Sequence, residues 1–191
     1  NKKSEGEKRI EDYLYCIEKV HKYANYITVN ISSPNTPNLR DLHNANNLSD
    51  LATSIENKVK ELKIGIPFFL KISPDETDES LDNIIKTVEN TFFTGIIATN
   101  TTTDKRSLTN KKYMEIEGGL SGKPLMDKST DKIKIIKNKS NGVIPIIGVG
   151  GVMSASDFNK KIDAGSKLVQ IYTGFVIKGP KILNEILEKN D

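Results

Sequence analysis

Short runs of apolar residues recur along this chain, separated by longer stretches of mixed polarity. Each run is at most six residues long, rich in Ile and Val, and nearly continuous in hydrophobicity. This pattern is typical of strands that are buried on both faces of a parallel sheet. The predicted strands are Tyr26–Ile31, Pro67–Ile72, Gly95–Thr99, Ile144–Val149 and Leu168–Tyr172.

The stretches between these runs carry apolar residues at the three- and four-residue spacing of amphipathic helices. Ser49 and Thr77 are expected to cap helix N-termini, because their hydroxyl groups can accept hydrogen bonds from free backbone amides. Gly65 and Gly165 are expected to end helices. The predicted helices are Leu48–Leu62, Asp78–Asn90, Lys128–Lys137 and Ser156–Ala164.

The alternation of strands and helices predicts an α/β fold with a parallel sheet. Periodicity alone leaves two architectures open, an open doubly wound sheet and a closed barrel. A complete (β/α)8 TIM barrel takes about 250 residues. As a barrel, this chain of 191 residues would supply about the last five βα units and lack the first strands.

Polar and glycine residues follow the predicted strands and help to choose between the two architectures. They are Asn30–Thr36, Ser73–Asp75, Asn100–Thr102, Gly148–Gly151 and Tyr172–Gly174. A TIM barrel carries its chemistry at the C-terminal ends of nearly all its strands, whereas a doubly wound sheet concentrates it at one switch point. The pattern therefore favours a partial barrel.

Composition and charge exclude several classes of function. Hydrophobic residues make up 36% of the chain, as expected for a globular protein, and no apolar run approaches the length of a membrane-spanning helix. No targeting signal is predicted. The net charge is +3, with lysines spread along helical faces and only three arginines, so nucleic-acid binding is not expected. The single cysteine, Cys16, excludes an internal disulfide and is interpreted as a small buried residue.

The chain shows no spacing typical of metal ligands, so no metal site is predicted. His21 and His43 are isolated and are interpreted as surface or helix residues. Asp75 and Asp78 lie near a predicted helix start, where capping would explain both.

Three glycine-containing turns are candidates for phosphate binding. Gly118–Gly122 and Gly148–Gly151 each precede a helix, and Tyr172–Gly174 leads into a further short helix. Glycine lets backbone amides approach a phosphate, and a helix N-terminus favours its negative charge. Each could be an ordinary tight turn, but three at consecutive strand ends favour phosphate binding, which in barrels involves the last two strands.

Neutral hydrogen-bonding residues surround Ser33 in the loop after the first predicted strand. Asn30, Asn35 and Thr36 offer donors and acceptors that suit a flat heterocycle with alternating N–H and C=O groups. Lys71 ends the next strand in a very apolar context. Such a lysine either extends to solvent or pairs with a buried anion, for which a reduced flavin is a candidate.

The segment Asn30–Arg40 resembles the signature loop of class 2, quinone-dependent dihydroorotate dehydrogenases. Five further segments are similar to motifs of that family and follow in the family's order, so that the resemblance covers nearly the whole chain. They are Leu70–Asp75, Ala98–Thr102, Gly118–Leu125, Ile144–Gly151 and Leu168–Tyr172.

This resemblance implies oxidation of dihydroorotate to orotate in pyrimidine biosynthesis, with FMN taking the hydride and a quinone reoxidising FMN. Ser33 would be the base that removes the C5 proton, and Thr36 would relay the proton. Because class 1 relatives carry Cys at the position of Ser33, the serine points to class 2. The residues implied to hold the pyrimidine are Asn30, Asn35, Asn100 and Thr101. Those implied to hold FMN are Asn30, Lys71 and Thr99 near the ring and Gly122, Gly151, Tyr172 and Thr173 at the ribityl phosphate.

The resemblance also implies that residues 1–191 are the C-terminal part of a single FMN-binding TIM-barrel domain. The first strands and the helical lobe that meets the membrane and admits quinone would be absent, so the piece alone is expected to be inactive. The whole enzyme would be a peripheral protein of a bacterial or mitochondrial inner membrane. Asn38 replaces the family's usual Gly and is expected to tolerate a left-handed backbone.

Two alternatives remain open on the residues themselves. One is another flavin-dependent pyrimidine oxidoreductase built on the same barrel. The other is a non-catalytic α/β domain that binds a phosphate without a flavin.

Overall fold

A computed structural model describes residues 7–36, 39 and 45–188 of the chain. The predictions for Asn38 and His43 lie outside these residues. The strands are β1 (Ile27–Asn30), β2 (Phe68–Ile72), β3 (Gly95–Ala98), β4 (Ile146–Val149) and β5 (Leu168–Gln170). The helices are α1 (Glu7–Val20), α2 (Ala45–Glu61), α3 (Asp78–Asn90), α4 (Met126–Lys139), α5 (Ala155–Ala164), α6 (Thr173–Lys178) and α7 (Lys181–Leu187).

The five predicted strands form one parallel sheet in which spatial order equals sequence order, β1-β2-β3-β4-β5. A doubly wound sheet reverses its strand order at a switch point, whereas successive βα units of a barrel add strands in one direction. The observed order is that of a barrel sector. It confirms the α/β fold and the partial TIM barrel.

The strand register brings the C-terminal strand ends to one edge of the sheet. Asn30 at the end of β1 pairs with Lys71, and Ala98 at the end of β3 pairs with Gly148. Val149 pairs in turn with Gln170 at the end of β5. The loops that carry the predicted chemistry therefore leave the sheet side by side.

The main core lies between the sheet and its covering helices. Leu70 and Ile96 from the sheet, Leu51 and Ile55 from α2, and Ile84 from α3 are all 0% exposed. Burying one such side chain stabilises the fold by roughly 1.5–3 kcal/mol. This core fixes the strands, and with them the loops at their ends.

Helix ends follow the predictions at two positions and depart from them at two others. Thr77 caps α3 by accepting a hydrogen bond from Ser80 N, and Gly165 ends α5 with φ 123°. The prediction for Ser49 was wrong, because α2 already begins at Ala45. Gly65 does not take the left-handed conformation after α2; Lys63 does, with φ 52°.

Cys16 was predicted to be buried and is exposed. Ile17 occupies the inner face of α1 and is 3% exposed, and the adjacent position on a helix points about 100° away. His21 lies in a short 3-10 helix after α1, with Nδ1 3.0 Å from Ile17 O. None of the helices in the described part of the chain combines the length and the hydrophobicity needed to cross a membrane.

Candidate active site

A cavity of about 240 Å³ opens at the C-terminal ends of β2 to β5 and is called the glycine cavity here. Eight of the predicted site residues line it. They are Lys71, Thr99, Asn100, Thr101, Gly122, Gly151, Tyr172 and Thr173. Ser121 and Gly150, from the predicted phosphate-binding turns, also line it, and Gln170 lines it without having been predicted.

Three of its glycines adopt backbone conformations that other residues rarely take. Gly122 has φ 73°, Gly150 has φ 118° and Gly151 has φ 80°. A Cβ atom at Gly151 would lie 2.4 Å from Met126 Cα, so the turn after β4 packs directly on the first residue of α4. Such bare backbone lets an anionic group approach closely.

Lys71 lines the same cavity. Within the described residues, Nζ makes no hydrogen bond or ion pair, and burial lowers the pKa of this lysine. An ammonium group that has lost water without gaining a partner favours an anionic ligand.

A cluster of polar side chains joins the ends of β1, β2 and β3. Asn100 Nδ2 donates to Asn30 Oδ1 and to Ser32 Oγ, both at 3.2 Å. Ser32 Oγ donates to Lys71 O at 2.9 Å. The side chains of Asn30 and Asn100, both predicted to bind the pyrimidine, are therefore joined by one hydrogen bond in this structure.

Ser33 and Thr36 lie together in a second cavity of about 280 Å³, called the serine cavity here. Asn30 also lines it, together with Tyr13 and Cys16 of α1. Ser33 therefore lies beside α1 and does not line the glycine cavity. The contact between Asn30 and Asn100 connects the walls of the two cavities.

Asn35 lines neither cavity and is exposed. Its backbone N donates to Ser33 Oγ at 3.3 Å. A Cβ atom at Gly118 would lie 3.2 Å from Asn35 Oδ1. Asn35 therefore lies against the glycine-rich segment that begins at Gly118.

Comparison with known proteins identifies the family. A family profile described as "Dihydroorotate dehydrogenase" matches residues 1–190. The chain belongs to the dihydroorotate dehydrogenase family.

Two curated relatives named "Dihydroorotate dehydrogenase (quinone)" show how far this likeness extends. The protein of Christiangramia forsetii is 47% identical over 189 residues, covering 99% of this chain and 55% of the relative. That of Shewanella frigidimarina is 50% identical over 190 residues, covering 97% and 56%. This chain of the dihydroorotate dehydrogenase family thus spans a little over half the length of these relatives.

The fold agrees with a solved dihydroorotate dehydrogenase structure. The ligand-free enzyme from Eimeria tenella superposes on the whole chain and on 56% of its own length, with a TM-score of 0.92 and 29% identity. A structure of the Eimeria tenella enzyme in complex with ferulenol gives the same TM-score.

Asp75 has a role in this family member that the sequence did not predict. It does not cap α3, because Thr77 does; instead it accepts hydrogen bonds from Thr102 Oγ1 at 2.5 Å and from Lys128 Nζ at 2.6 Å. Although burial alone would raise it, these bonds and one from Thr103 N lower the pKa of Asp75 to about 2. Asp75 thus ties the end of β2 to the chain beyond β3 and to α4.

Tyr13 holds the wall of the serine cavity from α1. Its hydroxyl donates to Asn30 O at 2.6 Å, and burial raises the pKa of Tyr13 to about 12. Residues 7–36, 39 and 45–188 contain no group of three or more His, Cys, Asp and Glu side chains arranged to hold a metal ion.

Proposed function

We propose that this chain forms the C-terminal part of a quinone-linked dihydroorotate dehydrogenase, which oxidises dihydroorotate to orotate with FMN. The observation that carries the proposal is the lining of the glycine cavity. Lys71, without a partner in the described residues, faces the same space as Gly122 and Gly151. One cavity thus offers a cation and glycine turns suited to a phosphate.

The cavity residues fit a phosphorylated flavin. The ribityl phosphate would be held by Gly122, Gly151, Tyr172 and Thr173. The backbone is bare at the two glycines, where an added Cβ would crowd Thr173 or Met126. Lys71, Thr99 and Asn30 would lie near the ring, where the lysine would balance negative charge. When bound, FMN would accept the hydride from C6 of dihydroorotate.

The polar residues at the ends of β1 and β3 would hold and deprotonate the substrate. Asn30, Asn35, Asn100 and Thr101 offer both donors and acceptors to the pyrimidine. The proposal requires the hydrogen bond between Asn30 and Asn100 to give way to bonds with the substrate. Part of the cost of separating the two amides would be offset by these new bonds.

Ser33 would remove the C5 proton and Thr36 would pass it on. A serine hydroxyl is a weak base at its ordinary pKa, so it needs a neighbouring group to take the proton. Thr36 lines the same cavity as Ser33, which supports the assignment of the relay. The loop would bring Ser33 to the pyrimidine when the substrate binds.

The other half of the protein would complete the barrel, add flavin and substrate contacts, and admit quinone at the membrane. Exposed apolar residues near the last strand support this part of the proposal. Leu168 of β5 is 62% exposed, and Val176 and Ile177 of α6 are 69% and 68% exposed. Apolar surface of this kind favours coverage by another segment of protein.

The test is the absorbance spectrum and activity of the intact protein that contains this sequence. We expect a yellow protein with bound FMN that reduces a soluble quinone analogue when dihydroorotate is added. A colourless protein that binds phosphate would support the non-catalytic alternative. Turnover of dihydroorotate by residues 1–191 alone would contradict the proposed need for the other half.

A further inference from the structure

Lys161 is a buried lysine in α5 whose hydrogen-bond partners are all neutral. The residue is 0% exposed. Its Nζ donates to Ser129 Oγ at 2.5 Å, to Thr130 Oγ1 at 2.9 Å and to Met126 O at 3.3 Å. Among the described residues, no carboxylate lies within salt-bridge distance of this ammonium group, although burying a charge without a counter-ion is costly.

The partners of Lys161 belong to the first turn of α4, which supports the glycine turn after β4. Ser129 Oγ, which accepts the bond from Lys161, lies 2.8 Å from Leu125 O and 3.0 Å from Gly150 O, and both of these residues line the glycine cavity. A Cβ atom at Gly150 would lie 2.9 Å from the same Oγ, and one at Gly151 would overlap Met126. Lys161 is therefore two hydrogen bonds away from the wall of the glycine cavity.

The charges around Lys161 leave it cationic near neutral pH. Burial lowers its pKa to about 8, and the carboxylates of Asp127, Asp157 and Asp131 oppose that shift. Asp127 and Asp131 belong to α4, and Asp157 of α5 is itself paired with Lys123 at 2.8 Å. A buried cation without a counter-ion in contact with it is stabilised by an anion that binds nearby.

We propose that Lys161 is a positioning residue for the phosphate end of the cofactor. It holds Ser129 against Gly150 and adds positive potential behind the Gly150–Gly151 turn. This inference rests on the proposed function, since it assumes that FMN occupies the glycine cavity. If Lys161 only linked α4 to α5, its loss would affect the binding of flavins with and without a phosphate equally.

The comparison of FMN with riboflavin tests this role, because the two ligands differ only in the phosphate. The intact protein is freed of flavin, and the dissociation constant of each ligand is measured by quenching of flavin fluorescence. Lys161→Met is expected to weaken FMN binding about tenfold, because both the positive potential behind the turn and the support of Ser129 are lost, while riboflavin binding stays unchanged. Lys161→Gln keeps donors but loses the charge, so a smaller loss for FMN is expected.

Lys160→Met is the matched control, because Lys160 neighbours Lys161 in α5 but is exposed. It should leave both constants unchanged. Should Lys161→Met fail to fold, Ser129→Ala removes only the hydroxyl and should still lower the preference for FMN over riboflavin. An unchanged preference in the folded variants would overturn the inference, whereas a wild-type protein that binds neither flavin would overturn the proposed function.

Discussion

The glycine cavity is backed by buried side chains, whereas the serine cavity is bounded by a partly exposed loop. Behind Gly150 lie Ser129 and Lys161, which are both 0% exposed and bonded to each other. Ser33 is only partly buried, and its Oγ accepts a long hydrogen bond of 3.3 Å from the exposed Asn35. The two halves of the candidate site are therefore held with different strength.

This difference indicates a division of labour between cofactor and substrate. A cofactor that stays bound benefits from a preformed wall, because no ordering cost is paid when it binds. A catalytic base in a site that must admit substrate and release product is better placed on a segment that opens at a low cost in free energy. We therefore expect changes in the serine cavity to lower turnover while the flavin stays bound, and changes in the glycine cavity to act through the flavin, on its binding, its reactivity or the stability of its wall.

Replacement of Ser33 should distinguish the roles of the two cavities most clearly. Ser33→Ala removes the proposed base, and we expect turnover to fall about 1000-fold, within the range for general base catalysis. The flavin content, read from the visible spectrum, should stay the same. Ser156→Ala, at an exposed position of α5, is the control. Unchanged turnover in Ser33→Ala would exclude this serine as the base.

Replacement of Lys71 should act on the glycine cavity through charge. Lys71→Met leaves the apolar part of the side chain but removes the cation, and we expect kcat/KM to fall about 100-fold, the loss typical for one electrostatic stabiliser. Lys86→Met removes an exposed lysine of α3 and should have little effect. Equal rates in the two variants would show that the unpaired ammonium group serves no ligand.

The sheet could be predicted from sequence because its signals are local. A buried parallel strand needs a short run of β-branched and apolar residues, and all five strands were found on that basis. Thr77 and Gly165 were also correct, since a cap and a left-handed helix end depend on nearby atoms. Ser49 was wrong because α2 starts at Ala45, and a serine inside a helix looks the same in sequence as one at its start.

The candidate site was less predictable because its contacts are distant in sequence. Asp75 binds Lys128, 53 residues further along the chain, and the helix start beside it offered a simpler explanation. Lys161 lies three residues after Phe158 and three before Ala164, at the spacing of an apolar helix face. A lysine at such a position is a signal of burial that the sequence analysis did not use. Ser33 lines the cavity beside α1 and not the glycine cavity, and a local sequence pattern does not show which cavity a loop residue will line.

A methyl group added to Gly151 should test the rigidity of the glycine cavity. Gly142 is the matched control, because it also has positive φ, 73° against 80°, but nothing lies within 4 Å of its would-be Cβ. Both alanine variants carry the cost of a left-handed backbone, about 1 kcal/mol. Gly151→Ala should lose about 2 kcal/mol more of the unfolding free energy, because its methyl group overlaps Met126. Urea unfolding of the intact protein measures the difference, and equal losses would mean that this wall yields easily.

Removal of one hydroxyl group from α1 should test the weaker wall of the serine cavity. Tyr13→Phe deletes the hydrogen bond to Asn30 O and leaves that partly buried carbonyl less well satisfied, for a cost of about 1 kcal/mol. Because Asn30 lies where the substrate is proposed to bind, we expect KM for dihydroorotate to rise severalfold while flavin content is unchanged. Tyr15→Phe removes a hydroxyl from the same helix at a residue that is 63% exposed, and should change neither quantity. If Tyr13→Phe instead lowered flavin content and left KM unchanged, α1 would support the cofactor rather than the substrate loop, and the contrast between the two cavities would fail.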